Sequence, residues 1–392
     1  MSNYIFTSES VSEGHPDKVA DQVSDGILDT FLSQDPLSRV ACETMITKDL
    51  LVIGGEVTSK AKVNIKEVAK KVIKDIGYTS EEQGFDVNSC NVIVSLSSQS
   101  PDIALGVDSK TQNNGQQGAG DQGLMFGYAS SETPEYMPLS ISVSHKLVKE
   151  LSLLRKSKAV DFLRPDSKSQ VSVEYNDGKI KRIQSIVLST QHNEQVSQKQ
   201  IYDLIRDQLI PSVVPKNLID NKTKFFINPT GRFVVGGPKG DCGLTGRKII
   251  VDTYGGHGSH GGGAFSGKDL TKVDRSASYA ARHIAKNILA AGLAKKCLIQ
   301  LSYAIGVSEP VSLMLQTYGS STVDENILAK AVGEVWDLKP SGIISFFDLL
   351  KPRYLKTASY GHFGRQEPEF SWEKLNKVEE LKDMVIQLNK KN

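Results

Sequence analysis

The chain has 392 residues, more than one hydrophobic core usually supports, so two or three domains are expected. It carries 47 Lys and Arg against 45 Asp and Glu, with 39% hydrophobic residues, values of an ordinary globular protein. The near cancellation of charge excludes a basic field of nucleic-acid size, so any polyanion site must be local. No apolar run approaches the length of a membrane span, and the start, Met1-Ser2-Asn3-Tyr4-Ile5, lacks the plan of a signal peptide. Cys42, Cys90, Cys242 and Cys297 lie far apart, which argues against a disulfide framework or zinc site and fits a reducing cytoplasm.

In chain order, Pro16 to Gln34 reads as a helix, with Pro16 in its first turn and Val19, Val23, Ile27 and Phe31 at i+4 spacing. Strands are predicted at Arg39 to Thr47 and Leu50 to Thr58, a helix at Val63 to Ile76 and a strand at Asn91 to Leu96. Ser97 to Gly123 is polar and rich in Gly, Ser, Asn and Gln, too long for a plain connector, and reads as a lid or a linker. Asn176-Asp177-Gly178 between two strand-like runs is a hairpin signal. Ser197 to Ile210 reads as helix, and Lys224 to Ile227 and Lys248 to Tyr254 as strands. A long Ala-rich helix at Asp274 to Ala291 precedes strands at Cys297 to Ala304 and Val311 to Tyr318, then helices at Asp324 to Trp336 and Gly342 to Leu350. Frequent hairpins among alternating helices and strands favour mixed sheets, and a helix, strand, strand theme recurs.

Four glycine-rich segments carry the charges suited to phosphate. Gly14-His15-Pro16-Asp17-Lys18 opens the first helix, where free N–H groups attract anions; His15 reads as a cation at neutral or low pH and Asp17 as a ligand for a divalent cation, against a plain capping role. Gly118 to Gly123 spells G-x-G-x-x-G without a preceding strand, and reads as a loop that either brings Asp121 to a metal or is inert. Asn228 to Lys248 sets Arg232, Arg247 and Lys248 among glycines with Asp241 close by. Gly261 to Asp269 adds bare backbone donors, Lys268 and a carboxylate suited to a metal. Gly262 to Asp269 is one residue type from a P-loop, yet Asp269 stands where Ser or Thr is needed. Carboxylates in strands, such as Glu43 and Glu56, are mostly solvated. No nucleophile motif appears, so the implied chemistry is electrostatic.

Taken together, GHPDK at Gly14, GAGDQG at Gly118, DCGLTGRK at Asp241 and GGGAFSGKD at Gly261 make the chain similar to the S-adenosylmethionine synthetases. The resemblance runs from Phe6 to Arg365 with no departure within these motifs. It implies an α+β fold of three similar β–α domains about a pseudo-threefold axis, with mixed sheets and outer helices. The corresponding segments are 1–102, 115–233 and 234–392, exchanged in part between domains, with 97–123 as mobile lid and linker. The implied reaction is attack of the methionine sulfur on C5′ of ATP, releasing tripolyphosphate that is hydrolysed to phosphate and pyrophosphate. The implied cofactors are Mg²⁺, two per site, and K⁺, and the implied assembly is a homodimer with shared sites, paired into a tetramer. Neither nucleic acid nor membrane is an expected partner.

By position, the resemblance gives His15, Lys168, Arg247 and Lys268 the catalytic roles, contacting phosphates and assisting departure of triphosphate. Asp166, Lys168, Arg232, Phe233, Asp241, Arg247, Lys248, Ala264 and Lys268 match ATP-binding positions, as does His15. Glu56, Gln99, Asp241 and Lys272 match methionine-binding positions. Asp17 matches a Mg²⁺ ligand, Glu43 a K⁺ ligand, and Asp121 and Asp274 further acidic positions near metal and substrates. Two other readings compete: a P-loop-like kinase or ATPase, and a non-catalytic relative of the same fold, which would have lost some of His15, Asp17, Lys168, Arg247 or Lys268.

Overall fold

The computed structural model describes residues 3–99 and 117–390; the stretch 100–116 of the expected lid lies outside the described residues. Its strands are β1 (Tyr4–Val11), β2 (Arg39–Thr47), β3 (Leu50–Thr58), β4 (Thr79–Ser80), β5 (Phe85–Asp86), β6 (Asn91–Ser97), β7 (Gly123–Ser130), β8 (Leu163–Asn176), β9 (Lys179–His192), β10 (Lys224–Ile227), β11 (Gly243–Leu244), β12 (Lys296–Tyr303) and β13 (Ser312–Gln316). The main helices are α1 (Pro16–Gln34), α2 (Ile65–Ile76), α3 (Leu139–Lys156), α4 (Gln198–Asp203), α5 (Ile249–Asp252), α6 (Val273–Ala290), α7 (Glu325–Val335), α8 (Pro340–Phe346) and α9 (Val378–Asn389). From α4 the chain continues through a π turn, Leu204–Leu209, into Ile210–Val213, where Pro211 has no N–H to give an α ladder.

One unit is built three times. A helix leads into an antiparallel hairpin and a second helix: α1-β2-β3-α2, α3-β8-β9-α4 and α6-β12-β13-α7. In the first two copies the chain then adds a parallel strand, β6 beside β3 and β10 beside β9. Each hairpin is completed on its other edge by an antiparallel strand from elsewhere: β11 on β2, β1 on β8 and β7 on β12. The donation is cyclic. The N-terminal segment lends β1 to the central sheet, the central segment lends β7 to the third, and the C-terminal segment lends β11 to the first.

Local chemistry accounts for most of these elements. In the β8–β9 turn Asp177 and Gly178 have φ of 51° and 74°, as a two-residue hairpin with the strand twist requires. On α1, Val19, Val23, Ile27 and Phe31 are buried as their spacing predicts. Between α6 and β7 the backbones approach so closely that a Cβ at Gly127 would collide with the Ala281 carbonyl. Two expectations need correction. Lys248 to Tyr254 is not a strand but the helical turn α5, because Lys248 and Asp252 are both drawn onto α1, as described below. The late helix expected at Gly342 to Leu350 is α8, ending at Phe346. β1, β7, α3 and α9 were not expected from the sequence. In α3, buried Ser140, Ser142, Ser144 and His145 interrupt the apolar stripe that marks an amphipathic helix.

Beside its apolar stripe, α1 carries a second one: Asp17, Asp21, Asp25 and Asp29 at i+4 spacing. Asp25 is wholly buried and takes a two-pronged ion pair from Arg275 on α6, at 2.7 and 2.9 Å, plus the Gly267 N–H at 2.9 Å. Arg275 spends its other N–H groups on the Phe265 and Lys268 carbonyls, Tyr279 and Thr357. Removing one partner of such a buried pair strands the other charge. Asp25→Ala is therefore expected to lower stability by about 3–5 kcal/mol. Chemical unfolding monitored by fluorescence checks this; a loss below about 1 kcal/mol would mean that the pair behaves as a solvated one.

Candidate active site

His15 caps α1: its Nδ1 accepts the Asp17 N–H at 3.2 Å, which leaves the ring proton on Nε2. Burial lowers its pKa, Lys248, Lys168 and Lys18 lower it further, and Asp17 opposes them, for a value of about 3. His15 is thus a neutral hydrogen-bond donor at physiological pH. The cation expected from the sequence is not there, because the ring is dry and ringed by lysines.

Asp17, next in the same turn, is buried and takes the Leu244 N–H at 3.0 Å and the Lys248 ammonium at 2.7 Å, with Arg247 at 3.6 Å. Burial raises its pKa, but the bonds from Lys248 and Leu244 outweigh this and hold it below the usual carboxylate range. One turn on, Asp21 takes the Gly246 N–H at 2.8 Å and, at 2.9 Å, the buried ammonium of Lys18, which also pairs with Asp252. Asp17 and Asp21 therefore clip the loop 243–248 to α1 by its backbone, and Lys18 draws in α5 behind it. That clip presents Arg247 and Lys248 at the helix N-terminus. Asp21 and Asp252 escaped the sequence reading, although the four-residue spacing of aspartates on α1 was visible, and Lys18, read as an ammonium at a phosphate-binding helix entry, is instead spent inside the fold on these two carboxylates.

β8 supplies the other wall. Lys168, opposite Val11 of β1, makes no ion pair among the described residues, and its charge is felt at His15 and at Asp166. Asp166 is buried; one carboxylate oxygen takes the Gly237 N–H at 2.9 Å and the other has no partner among the described residues. Burial, with Asp241 and Asp17 nearby, pushes its pKa up to about 6 despite the Gly237 N–H and Lys168. The loop leading to Gly237 carries Phe233, whose N–H meets His192 at 3.0 Å, and Arg232, paired with Glu194 on the surface at 2.7 Å. Asp241 is exposed beside these groups. His15, Asp17, Asp166, Lys168, Asp241, Arg247 and Lys248 thus meet around one helix terminus. Glu174, near the same hairpin, is instead tied up by Lys181 and Arg182.

Lys268 stands elsewhere. It bridges to Ala41 on β2, while β11, next to Arg247, pairs with Met45 and Ile46. The two points are four residue steps apart along β2, on the order of 13 Å. Around Lys268 gather Asp274, paired with it at 2.7 Å, the glycines 261–263 and Ala264. The two groups touch at Gly246, where a Cβ would lie 2.5 Å from that of Ala264. Asp121 is exposed on the segment whose Gly120 N–H meets the Thr271 carbonyl at 3.3 Å. Asp269, expected to suit a metal, is buried and spends its carboxylate on the Val40 and Thr271 N–H groups and on Lys272. Turns, not a strand, precede Gly262, so the P-loop reading fails on both counts.

Between the two groups lies an open depression of about 400 Å³ on the outer face of β2 and β3. Glu43 and Glu56 line it on the same face, and the segment after β6 brings Gln99 beside Thr58, with a backbone N–H to Thr58 Oγ1 distance of 3.3 Å. The Gln99 side-chain oxygen is buried without a partner among the described residues. No cluster of three or more His, Cys, Asp or Glu side chains converges among the described residues. Asp17, a single carboxylate at the helix terminus, fits the way Mg²⁺ is usually held, by one or two carboxylates plus phosphate oxygens and water.

Asp166 has a measurable signature. Its folded pKa of about 6 lies above the unfolded value, so it costs stability progressively as pH rises from about 4 through 6. Asp166→Asn keeps the acceptor for Gly237 and removes the charge. Relative to the parent chain, the variant is expected to gain stability at pH 7.5, by up to about 3 kcal/mol, and little at pH 4. Melting curves at both pH values check the sign; an equal offset at the two would refute it.

Three family models match the chain in order: the N-terminal domain of S-adenosylmethionine synthetase over residues 3–101, its central domain over 116–233 and its C-terminal domain over 235–374. A curated relative from Brachyspira hyodysenteriae (strain ATCC 49526 / WA1), named S-adenosylmethionine synthase, is 55% identical over 380 residues, 95% of this chain and 96% of the relative. The cyclically exchanged three-unit fold and the full-length match lead to one conclusion: the chain belongs to the S-adenosylmethionine synthetase family, the methionine adenosyltransferases.

Proposed function

We propose that the chain makes S-adenosylmethionine from ATP and L-methionine, by attack of the methionine sulfur on C5′ with release of tripolyphosphate, hydrolysed in place to phosphate and pyrophosphate. The observation that carries this is the set of cations at the α1 terminus, Lys168, Arg247 and Lys248, around a neutral His15 and an ionised Asp17. A thioether has no proton to lose, so no general base is required. Charge gathers on the leaving triphosphate, where fixed donors lower the barrier most. Lys168, Lys248 and Arg247 face that charge, and His15 Nε2–H donates a hydrogen bond to it. Asp166, Arg232, Phe233 and Asp241 hold the nucleotide; Glu56, Gln99 and Lys272 hold methionine, aligned for attack.

Mg²⁺ bound to phosphate oxygens and Asp17, with Asp121 and Asp274 as further carboxylates, would neutralise charge, and K⁺ at Glu43 would complete the depression. The separation between the α1 terminus and Lys268 supports a shared site in which Lys268, Ala264 and Asp274 of one subunit face His15 of another, in a dimer that pairs into a tetramer. A cytoplasmic location accords with four free cysteines.

Lys268→Ala is expected to cut turnover by about 10²–10³-fold with an unchanged melting temperature. Mass-spectrometric quantitation of the sulfonium product from ATP and methionine tests this, and near-normal turnover would sink the assignment. Mixing inactive His15→Ala subunits with inactive Lys268→Ala subunits is expected to restore part of the activity. Verified mixed dimers without recovery would exclude a shared site.

A further inference from the structure

The loop that carries Arg232 and Phe233 leaves the edge of β9 and returns to its end. Asn228 lies in the left-handed region, at φ 40°, and its side-chain amide exchanges hydrogen bonds with the Thr190 backbone at 2.9 and 3.0 Å. Residues 229–232 then loop out into solvent. The chain comes back at Phe233, against Gln191 and His192, the last two residues of β9.

His192 holds Phe233 by both of its backbone groups. The His192 N–H donates to the Phe233 carbonyl at 3.0 Å, and the Phe233 N–H donates to His192 Nε2 at 3.0 Å. Nδ1 lies 2.6 Å from the Asn193 carbonyl. A backbone N–H can only donate and a carbonyl can only accept, so both contacts demand one tautomer, with the proton on Nδ1. The residue is 4% exposed, and both ring nitrogens are used. Beside it, Gln191 Nε2 donates to the Val234 carbonyl at 3.1 Å. A Cβ at Gly236 would lie 2.8 Å from the Phe233 ring and 2.9 Å from Gln191 Cδ, so the ring rests on bare backbone. The ion pair of Arg232 with Glu194 is largely exposed and fixes little.

We infer that His192 is a positioning residue for the nucleoside half of ATP, acting through Phe233. This rests on the proposed function, in which Phe233 belongs to the nucleotide site. An aromatic ring can stack on a base but has no charge for phosphate, so His192 governs the grip on the nucleoside. It does so by fixing the backbone from which the ring projects. The phosphates are left to the cations at the α1 terminus.

Two variants separate the two ring bonds. In His192→Gln the amide oxygen stands where Nε2 was and still accepts the Phe233 N–H. In His192→Asn the shorter side chain keeps a donor for the Asn193 carbonyl and loses the acceptor for Phe233. The test is steady-state kinetics of the full-length protein with ATP and methionine. In His192→Asn, KM for ATP is expected to rise about tenfold, the effect of one lost hydrogen bond. Its kcat and its KM for methionine are expected to stay within about twofold of the parent chain. His192→Gln is expected to bring KM for ATP back to within about threefold of the parent. Hydrolysis of added tripolyphosphate, which carries no nucleoside, is expected to be unchanged in both. The inference is overturned if KM for ATP does not rise in His192→Asn, or if KM for methionine rises equally. It is also overturned if His192→Gln is impaired as much, or if tripolyphosphate hydrolysis falls in step. A His192→Asn chain that fails to fold overturns it too, by giving the residue a purely structural role. A parent chain that forms no sulfonium product would instead refute the proposed function itself.

Discussion

The aspartate stripe on α1 is the constraint from which the rest of the site follows. Asp17, Asp21, Asp25 and Asp29 each hold the backbone of a distant segment: Leu244, Gly246, Gly267, and Arg353 to Leu355. A carboxylate accepting a backbone N–H is a charge-assisted bond, worth about 1.5–3 kcal/mol when formed and more when left half-made. The stripe fixes loops by their main chain and so leaves their side chains free. Arg247, Lys248 and Lys268 are all presented from segments held in this way.

Burying several carboxylates on one helix has an electrostatic consequence. Burial raises the pKa of Asp21 and takes Asp29 to about 6 and Asp252 to about 7, against the opposing pull of their hydrogen-bond donors. Lys18 between Asp21 and Asp252 is driven the other way, its ammonium held above the usual range. Asp17 alone at the open end of the stripe is pulled down by its partners. Asp17 is therefore ionised where the polyanion is proposed to bind, Asp21 and Asp29 are reluctant to ionise, and the cap His15 is kept neutral by burial, with Lys248, Lys168 and Lys18 adding to it. A neutral donor and fixed cations form a preorganised field that needs no proton transfer to act.

The cyclic exchange of β1, β7 and β11 explains how residues so far apart in the chain share a surface. β1 places Val11 opposite Lys168, β11 sets the clip beside β2, and β7 packs on α6, which carries Asp274 and Arg275. Each strand donated to another unit carries part of the site with it. Cα separations along β2 still leave Lys268 apart from the α1 terminus within one chain, and this separation is the physical ground for the proposed two-subunit site.

Much was legible in the residues. The spans of α1, β2, β3 and β10 follow from periodicity and turn residues, and the glycine–cation segments mark the loops that converge, because both signals are local. What failed was decided by neighbours. Ile249-Ile250-Val251 has strand propensity, yet Lys18 and Asp17 pull its flanking residues onto α1 and coil it into a helical turn. Asp269 has the look of a metal ligand, but Val40 of an adjacent strand consumes it. An imidazole titrates near neutrality in water, but the His15 ring is buried beside lysines. The sequence by itself determined the family and which charges are available. Only the tertiary structure decided which of them are spent on holding the fold, because hydrogen-bond partners, burial and protonation depend on contacts between segments that sequence spacing does not encode.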